Sequence, residues 1–340
     1  MQGAKKQVWV LGASGYSGAE LCRLVQSHSQ LQLTAAFVSA TSPATALSAL
    51  YPNLATRVEV NLQPFDGAVL QQAQASNKLP HIVCMALPHE ASIEWARAFV
   101  DAGVCVVDLS AAMRLADMNN YLDYYGFSHP DPDLVAQAQY VIPELCKTDL
   151  SSTQLLAMAG CYPTAATLAL YPLQQAAVLS SQQQPVISAV SGVSGAGRGA
   201  QLNTSFCEVS LRPYAVASHR HIPEIEQNLG QTVFFTPHLG NFKRGIVASC
   251  HVRVKAQVDS EQVNSIFQQF YRKAPLVRLK QHPPSVDDVA HTPFCDLHWA
   301  MRGDQLVVTS AIDNLLKGAA AQAIQAINLK YGWAQAEGLL

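Results

Sequence analysis

The segment VWVLGASGYSGAEL, Val8 to Leu21, constrains the fold more than any other: an apolar run of strand character, glycines at 12, 15 and 18, then the start of a helical pattern. A buried strand that passes straight into a helix is the opening half of a βαβ unit, and such units build parallel sheets. The alternation continues along the chain. A helix from about 17 to 26 precedes a second strand, Leu31 to Val38; HIVCMAL (81–87) stops at Pro88, a helix runs from about 91 to 102, and VCVVDL follows. These strands are apolar throughout, as expected where helices cover both faces of a sheet.

Beyond about residue 150 the pattern changes. In GIVASCHVRVKA, Cys250, Val252 and Val254 fall on one side and His251, Arg253 and Lys255 on the other, which suits an antiparallel strand with one wet face. Residues 297–301 and 306–310 read as a hairpin around Arg302-Gly303-Asp304, so the RGD tripeptide is read as a turn and not as an adhesion ligand. Leu315 to Tyr331 is alanine-rich and apolar at helical spacing.

Composition narrows the partners. The 340 residues suffice for two domains of ordinary size, and with 14% charged residues and a net charge of −2 there is no basic field for nucleic acid and no polybasic membrane patch. A small molecule is the expected partner. Eight cysteines are scattered with no C-x-x-C and no His/Cys spacing suited to zinc, the pattern of reduced thiols in a cytoplasmic protein. No run approaches the ~18 apolar residues of a membrane span, and the apolar stretch after the first lysines is too short for a secretory signal.

The glycine turn departs from the G-x-G-x-x-G dinucleotide fingerprint, since Ser14 stands at its second glycine. After a strand and before a helix, such a turn still brings backbone N–H groups and a positive helix end to a phosphate; alone, it is equally a tight connection. Gly12 permits the turn, Gly15 a close approach, and Gly18 close packing of helix on sheet. The second strand ends FVSATS, where Ser39 and Ser42 stand with no carboxylate to repel a 2′-phosphate, which favours NADP over NAD.

Three more segments carry chemistry. In AGCYPTAATLAL, Pro163 suits a first helical turn and places Cys161 just before a helix N-terminus, where dipole and N–H groups favour the thiolate; Pro172 should end or kink that helix. The other seven cysteines are read as buried and inert. In HRHIPEIEQ, His219 and His221 share one side of an extended segment just before a helix that Pro223 marks, and either suits a base; a metal lacks a third ligand. The loop VSGVSGAGRGA, with Ser191 among its hydroxyls and Arg198 as its charge, suits either an anion site or a flexible surface loop.

Together, GASGYSGAEL, DLSAAMRLAD, YYGFSH, AGCYPTAA, SGVSGAGR, HRHIPEIEQ, FTPHLGNFKRGI and DNLLKGAAAQAIQ resemble the N-acetyl-gamma-glutamyl-phosphate reductase family over Val8 to Tyr331, in family order. The resemblance implies an α/β fold like that of aspartate-semialdehyde dehydrogenase. A Rossmann-like NADP-binding domain (1–155) would be joined by a C-terminal helix (315–340), and an α+β catalytic and dimerisation domain (156–314) would carry a mixed or antiparallel sheet. It implies Cys161 as nucleophile, and His219 as acid/base with the role open to exchange with His221. Ser14, Tyr16 and Ser17 would lie in the cofactor turn, Asn314 and Lys317 at the nicotinamide, and Arg114, Ser191 and Arg198 at the substrate. Implied too are NADP(H), an acyl phosphate substrate with phosphate as co-product, no metal, and a homodimer or homotetramer. Two departures, Ala159 for a proline and Val141 for a glycine, touch none of this chemistry. Aspartate-semialdehyde dehydrogenase and a carrier-linked aminoadipyl-phosphate reductase are the enzyme alternatives, and an NADP-binding sensor the non-enzyme one.

Overall fold

In the computed structural model, which describes residues 4–340, the alternation of the first segment becomes an eight-stranded sheet. Its strands are β1 (Lys6–Leu11), β2 (Leu31–Ser39), β3 (Thr45–Ala46), β4 (Asn61–Phe65), β5 (Ile82–Met85), β6 (Cys105–Asp108), β7 (Gln139–Val141) and β8 (Leu155–Met158), in the order β3-β4-β2-β1-β5-β6-β8-β7. Every pairing is parallel except β3 with β4. All of β5, β6 and β8 is buried, so their uninterrupted apolar sequences answer to two covered faces. The strand order reverses direction beside β1, whose carboxyl end is the usual place for a ligand crevice in such sheets.

The second sheet is mixed: β9 (Val186–Gly192), β10 (Arg212–Pro213), β11 (Phe234–Gly240), β12 (Ile246–Arg253), β13 (Val277–Leu279), β14 (Cys295–Arg302) and β15 (Gln305–Ile312), ordered β10-β11-β9-β12-β15-β14-β13. β12 lies antiparallel to both β9 and β15, with Cys250 and Val252 in the core as the alternation requires. The predicted hairpin is β14–β15, with Arg302 opposite Gln305 and a two-residue loop whose Gly303 takes φ +61°. Glycine at that first loop position suits the turn that matches strand twist.

Two compact units result. Residues up to Arg114, His129–Ala159 and Ala319–Leu340 make one; Leu115–Ser128 and Gly160–Gly318 make the other. The short segment 115–128, read above with the first domain, clusters with the second unit: Ala116 N–H donates to Gln227 Oε1 at 2.8 Å and Tyr125 hydroxyl to Arg220 C=O at 3.1 Å.

Two helix expectations need correction. The helix that begins at Cys161 neither ends nor breaks at Pro172 but runs to Gln175. Proline cannot bond the carbonyl four residues back, at Leu168; here the Tyr271 hydroxyl donates to that carbonyl at 2.6 Å, and the freed acceptor is satisfied. The C-terminal helix does not reach residue 340. Leu316–Ala320 is a π turn, with Gly318 N–H on Asp313 C=O at 2.9 Å, and the α-helix Ala321–Lys330 follows. It stops in a Schellman motif: Gly332 takes φ +67°, its N–H bonds Leu329 C=O, and Trp333 N–H bonds Asn328 C=O.

Candidate active site

In the first unit, the turn at the end of β1 shows why its glycines are not interchangeable. Gly12 has φ +77°, and a Cβ there would sit 2.2 Å from Ala86 carbonyl oxygen; a Cβ on Gly18 would sit 2.2 Å from the Gly12 carbonyl oxygen. Gly18 thus packs on the turn itself and not on the sheet. Gly15 is different, for its nearest atom would be 3.4 Å away, ordinary contact. Nothing in the chain demands glycine there, which leaves the requirement to a group that approaches the backbone. Gly15 is also the N-cap of the helix Tyr16–Ser27, which has no side-chain cap and no acid in its first turn. Its positive end is left for an anion. Ser14, Tyr16 and Ser17 are half-buried around this point. Tyr51, which the sequence reading missed, donates its hydroxyl to the Ser14 carbonyl at 2.8 Å and sets its ring edge-on to Tyr16. At the end of β2 the Ser39 hydroxyl lies 2.8 Å from that of Ser42 and 3.3 Å from that of Thr41. A dinucleotide with a 2′-phosphate fits this cradle of open backbone and hydroxyls.

The second unit holds a cavity of about 370 Å³. Cys161, Ser191, His219 and His221 all line it, and so do Tyr162 and Tyr214. Cys161 is the first residue of the helix Cys161–Gln175, one position further in than the sequence reading placed it, because Gly160 takes the N-cap conformation. Thr164 closes the first turn twice: its N–H and its hydroxyl both donate to Gly160 C=O at 2.9 Å. The N-cap offers no side-chain bond and the first turn no acid, so the helix end favours a negative charge on the half-buried sulfur.

The histidines sit in turns rather than in an extended segment, yet on one side, with ring centroids 4.9 Å apart. His221 is the N-cap of the helix Ile222–Leu229, which Pro223 starts. Its backbone N–H donates to His219 Nδ1 at 3.1 Å, so neutral His219 carries its proton on Nε2. Tyr162, Tyr214 and Phe235 stand edge-on around the His219 ring. That burial, with Arg220 beside it, pushes its pKa down to about 4. Burial likewise drives the Tyr162 and Tyr214 hydroxyls up, so both stay neutral: Tyr214 donates to Tyr162 at 3.3 Å, and Tyr162 to His238 C=O at 3.2 Å.

Arg114, Arg198, Asn314 and Lys317 are not among the residues that line the cavity. Arg198 is exposed and outside the cavity lining; the cations that do line it are Arg220, between the two histidines, and Arg212 of β10, which sequence reading passed over. Arg114 is buried in the first unit and donates to Leu109 C=O at 2.7 Å. The Asn314 amide serves its own unit, accepting from Gly245 N–H at 2.7 Å and donating to the Ser194 hydroxyl at 3.0 Å. Lys317 is wholly buried in the π turn. Of the other seven thiols, five are buried, with Cys22 and Cys250 pushed up to about 12; Cys146 is half-exposed and Cys207 exposed on the segment leading to β10, so burial does not describe those two. No cluster of His, Cys, Asp and Glu suited to a metal occurs among the described residues.

Residues 7–153 match the family model described as semialdehyde dehydrogenase, NAD binding domain, and residues 161–314 the one described as semialdehyde dehydrogenase, dimerisation domain. Solved structures with this fold include aspartate semialdehyde dehydrogenase II of Vibrio cholerae (TM-score 0.71, 17% identity, 97% of this chain and 99% of that one) and aspartate semialdehyde dehydrogenase with NADP from Candida albicans (0.68, 14%, 98% and 99%). Among curated proteins, N-acetyl-gamma-glutamyl-phosphate reductase of Tolumonas auensis is 49% identical over 98% of this chain and 99% of its own, and that of Escherichia coli K12 46% over 97% and 98%. The chain belongs to the N-acetyl-gamma-glutamyl-phosphate reductase family.

Proposed function

We propose that the chain catalyses the NADPH-dependent reductive dephosphorylation of N-acetyl-γ-glutamyl phosphate to N-acetylglutamate 5-semialdehyde, a step of arginine biosynthesis. The observation that carries this reading is a half-buried cysteine opening a helix with no acid in its first turn and facing a cavity that also holds two histidines and two arginines. Gly12, Ser14, Gly15, Tyr16, Ser17, Gly18, Ser39 and Ser42 are the residues we assign to the cofactor, which when bound supplies the hydride.

In this scheme the Cys161 thiolate attacks the acyl carbon, the carbon–oxygen bond to phosphate breaks, and phosphate leaves with the electron pair. Arg212 and Arg220 supply positive charge for the phosphate and the α-carboxylate. Hydride addition turns the resulting thioester into a thiohemiacetal oxyanion. Its carbon–sulfur bond then breaks, the pair returning to Cys161 and the aldehyde leaving. His219, neutral with its proton on Nε2, donates a hydrogen bond to the oxygen where charge develops. The thiolate is generated by the helix end, with no resident imidazolium needed.

The depressed His219 pKa has a measurable signature. Above pH 6.5 the ring is neutral in folded and unfolded chains alike; between 6.5 and about 4 the unfolded chain takes up a proton that the folded one refuses. Folding stability is therefore expected to fall by about 1.4 kcal/mol per pH unit across that window and to level off below it. Denaturant titrations of wild type and His219→Asn at pH 4 to 7 check this; parallel slopes would remove the basis for a neutral donor.

The working form is proposed to be a cytoplasmic homodimer or homotetramer. Support comes from the dimerisation domain that residues 161–314 match; no helix among the described residues is long and apolar enough to cross a membrane. The test of the reaction runs it backwards: protein, NADP, phosphate and N-acetylglutamate semialdehyde, followed by NADPH absorbance, with aspartate semialdehyde alongside. NADPH formation that requires phosphate and the acetylated aldehyde is the expected result. Preference for aspartate semialdehyde would reassign the substrate, and NADP binding without turnover on either would favour a sensor.

A further inference from the structure

Glu224 occupies an unusual place for an acid in the first turn of a helix. It is the third residue after the N-cap His221, the position from which a carboxylate ordinarily reaches back to its own N-cap N–H. That N–H is already taken, because it donates to His219 Nδ1 at 3.1 Å. Glu224 instead turns to the other helix: its Oε1 accepts the Gly160 N–H at 2.7 Å, and the residue is wholly buried. Gly160 is the N-cap of the Cys161 helix, which has no side-chain cap of its own. The Glu224 bond thus ties one helix start to the other, while the His219 ring takes the N-cap N–H of the helix that follows it.

A buried acidic side chain bonded one residue before Cys161 gives a thiolate no help by charge. Its retention there is unfavourable for nucleophile activation by charge alone, and it makes sense for geometry: the bond fixes the Ala159–Gly160 peptide, and with it the direction in which Cys161 leaves the N-cap. We infer that Glu224 is a positioning residue, whose hydrogen bond to Gly160 N–H holds Cys161 in register with the turn that carries His219 and His221. The inference rests on the proposed role of Cys161 as nucleophile.

The test separates bond from charge. Glu224→Gln keeps an acceptor oxygen for Gly160 and loses the charge; Glu224→Ala loses both. For each, the rate of iodoacetamide alkylation at Cys161, read by peptide mass from pH 5 to 10, gives the thiol's titration midpoint without any substrate, so failure of the proposed reaction would leave this readout intact. Turnover in the phosphate-dependent direction gives kcat and KM. In Glu224→Ala the midpoint should rise despite the lost negative charge, as the sulfur swings off the helix end, and kcat should fall ~30-fold with KM little changed. In Glu224→Gln the midpoint should fall below wild type and kcat should recover most of the loss. A Glu224→Gln midpoint above wild type, or equal damage to kcat in both variants, would overturn the inference. So would an unshifted midpoint in a folded Glu224→Ala.

Discussion

Cys161→Ser is expected to lose phosphate-dependent NADPH formation by at least ~10³-fold while its affinity for NADP stays at the wild-type level. The argument is one of magnitudes. A helix N-terminus is worth at most about 2 kcal/mol to a partly buried anion, or roughly one and a half pKa units. That is enough to bring a thiol of ordinary pKa, about 8.5, into the neutral range. An alcohol ionises many units higher, and the same helix end leaves the introduced serine a neutral hydroxyl, for which Nε2 of neutral His219, a donor, is no base. Cofactor affinity should survive because the glycine turn at Gly12–Gly18 belongs to the other unit. Equilibrium titration of NADP, paired with initial rates, checks both halves. Rates within tenfold of wild type would end the thioester scheme.

The second large effect is expected at a residue with no functional group. A Cβ built on Gly318 would lie 2.7 Å from Cys161 Cβ, 3.2 Å from its Cα and 3.3 Å from Ile312 Cδ1. Real Cβ atoms do not approach so closely, and the first atom in the way is the root of the nucleophile rather than the tip of a flexible chain. Gly318→Ala must push the cysteine or unwind the π turn. A displacement near 1 Å at a reacting atom costs about 10²-fold, so kcat should drop by that order with thermal unfolding shifted far less than activity. Gly67→Ala, where nothing lies within 4 Å, is the matched control and should behave as wild type. A folded Gly318→Ala with kcat within threefold of wild type would show that the sulfur's position is not fixed from that side.

What the sequence disclosed and what it concealed divide along physical lines. Strand, glycine turn and helix start are local: Gly12 and Gly18 are demanded by contacts within a few residues or one strand away, and Cys161 reads as a helix-start thiol from Gly160 and Pro163 alone. The alternation in β12 is local too, and it placed Cys250 and Val252 in the core correctly. Of the cavity's two cations, Arg220 stands between the two histidines, but Arg212 is not local. Arg212 reaches the cavity only because β10, two residues long, pairs with β11 some 26 positions later, and no periodicity marks so brief a pairing. Arg198, on a glycine-rich loop that suits an anion site and a flexible surface loop equally, is exposed. Pro172 carries the same lesson, since its tolerance depends on a hydroxyl about 100 residues away. Glu224 carries no local sign of its role, because its partner Gly160 lies 64 positions earlier.

The interleaving of the two units sets an order of assembly. The helix Ala321–Lys330 belongs to the unit the chain begins with, and its Ile324 and Ile327 are wholly buried there. Asn328 also ties down the last turns, donating to Gln335 and Glu337 carbonyls at 3.1 and 2.9 Å. As the chain leaves the ribosome, the half made first must therefore wait, one apolar flank uncovered, until the half made later has already been synthesised. Protection of that flank during synthesis, rather than final stability, is where a growing chain of this design is most exposed to aggregation.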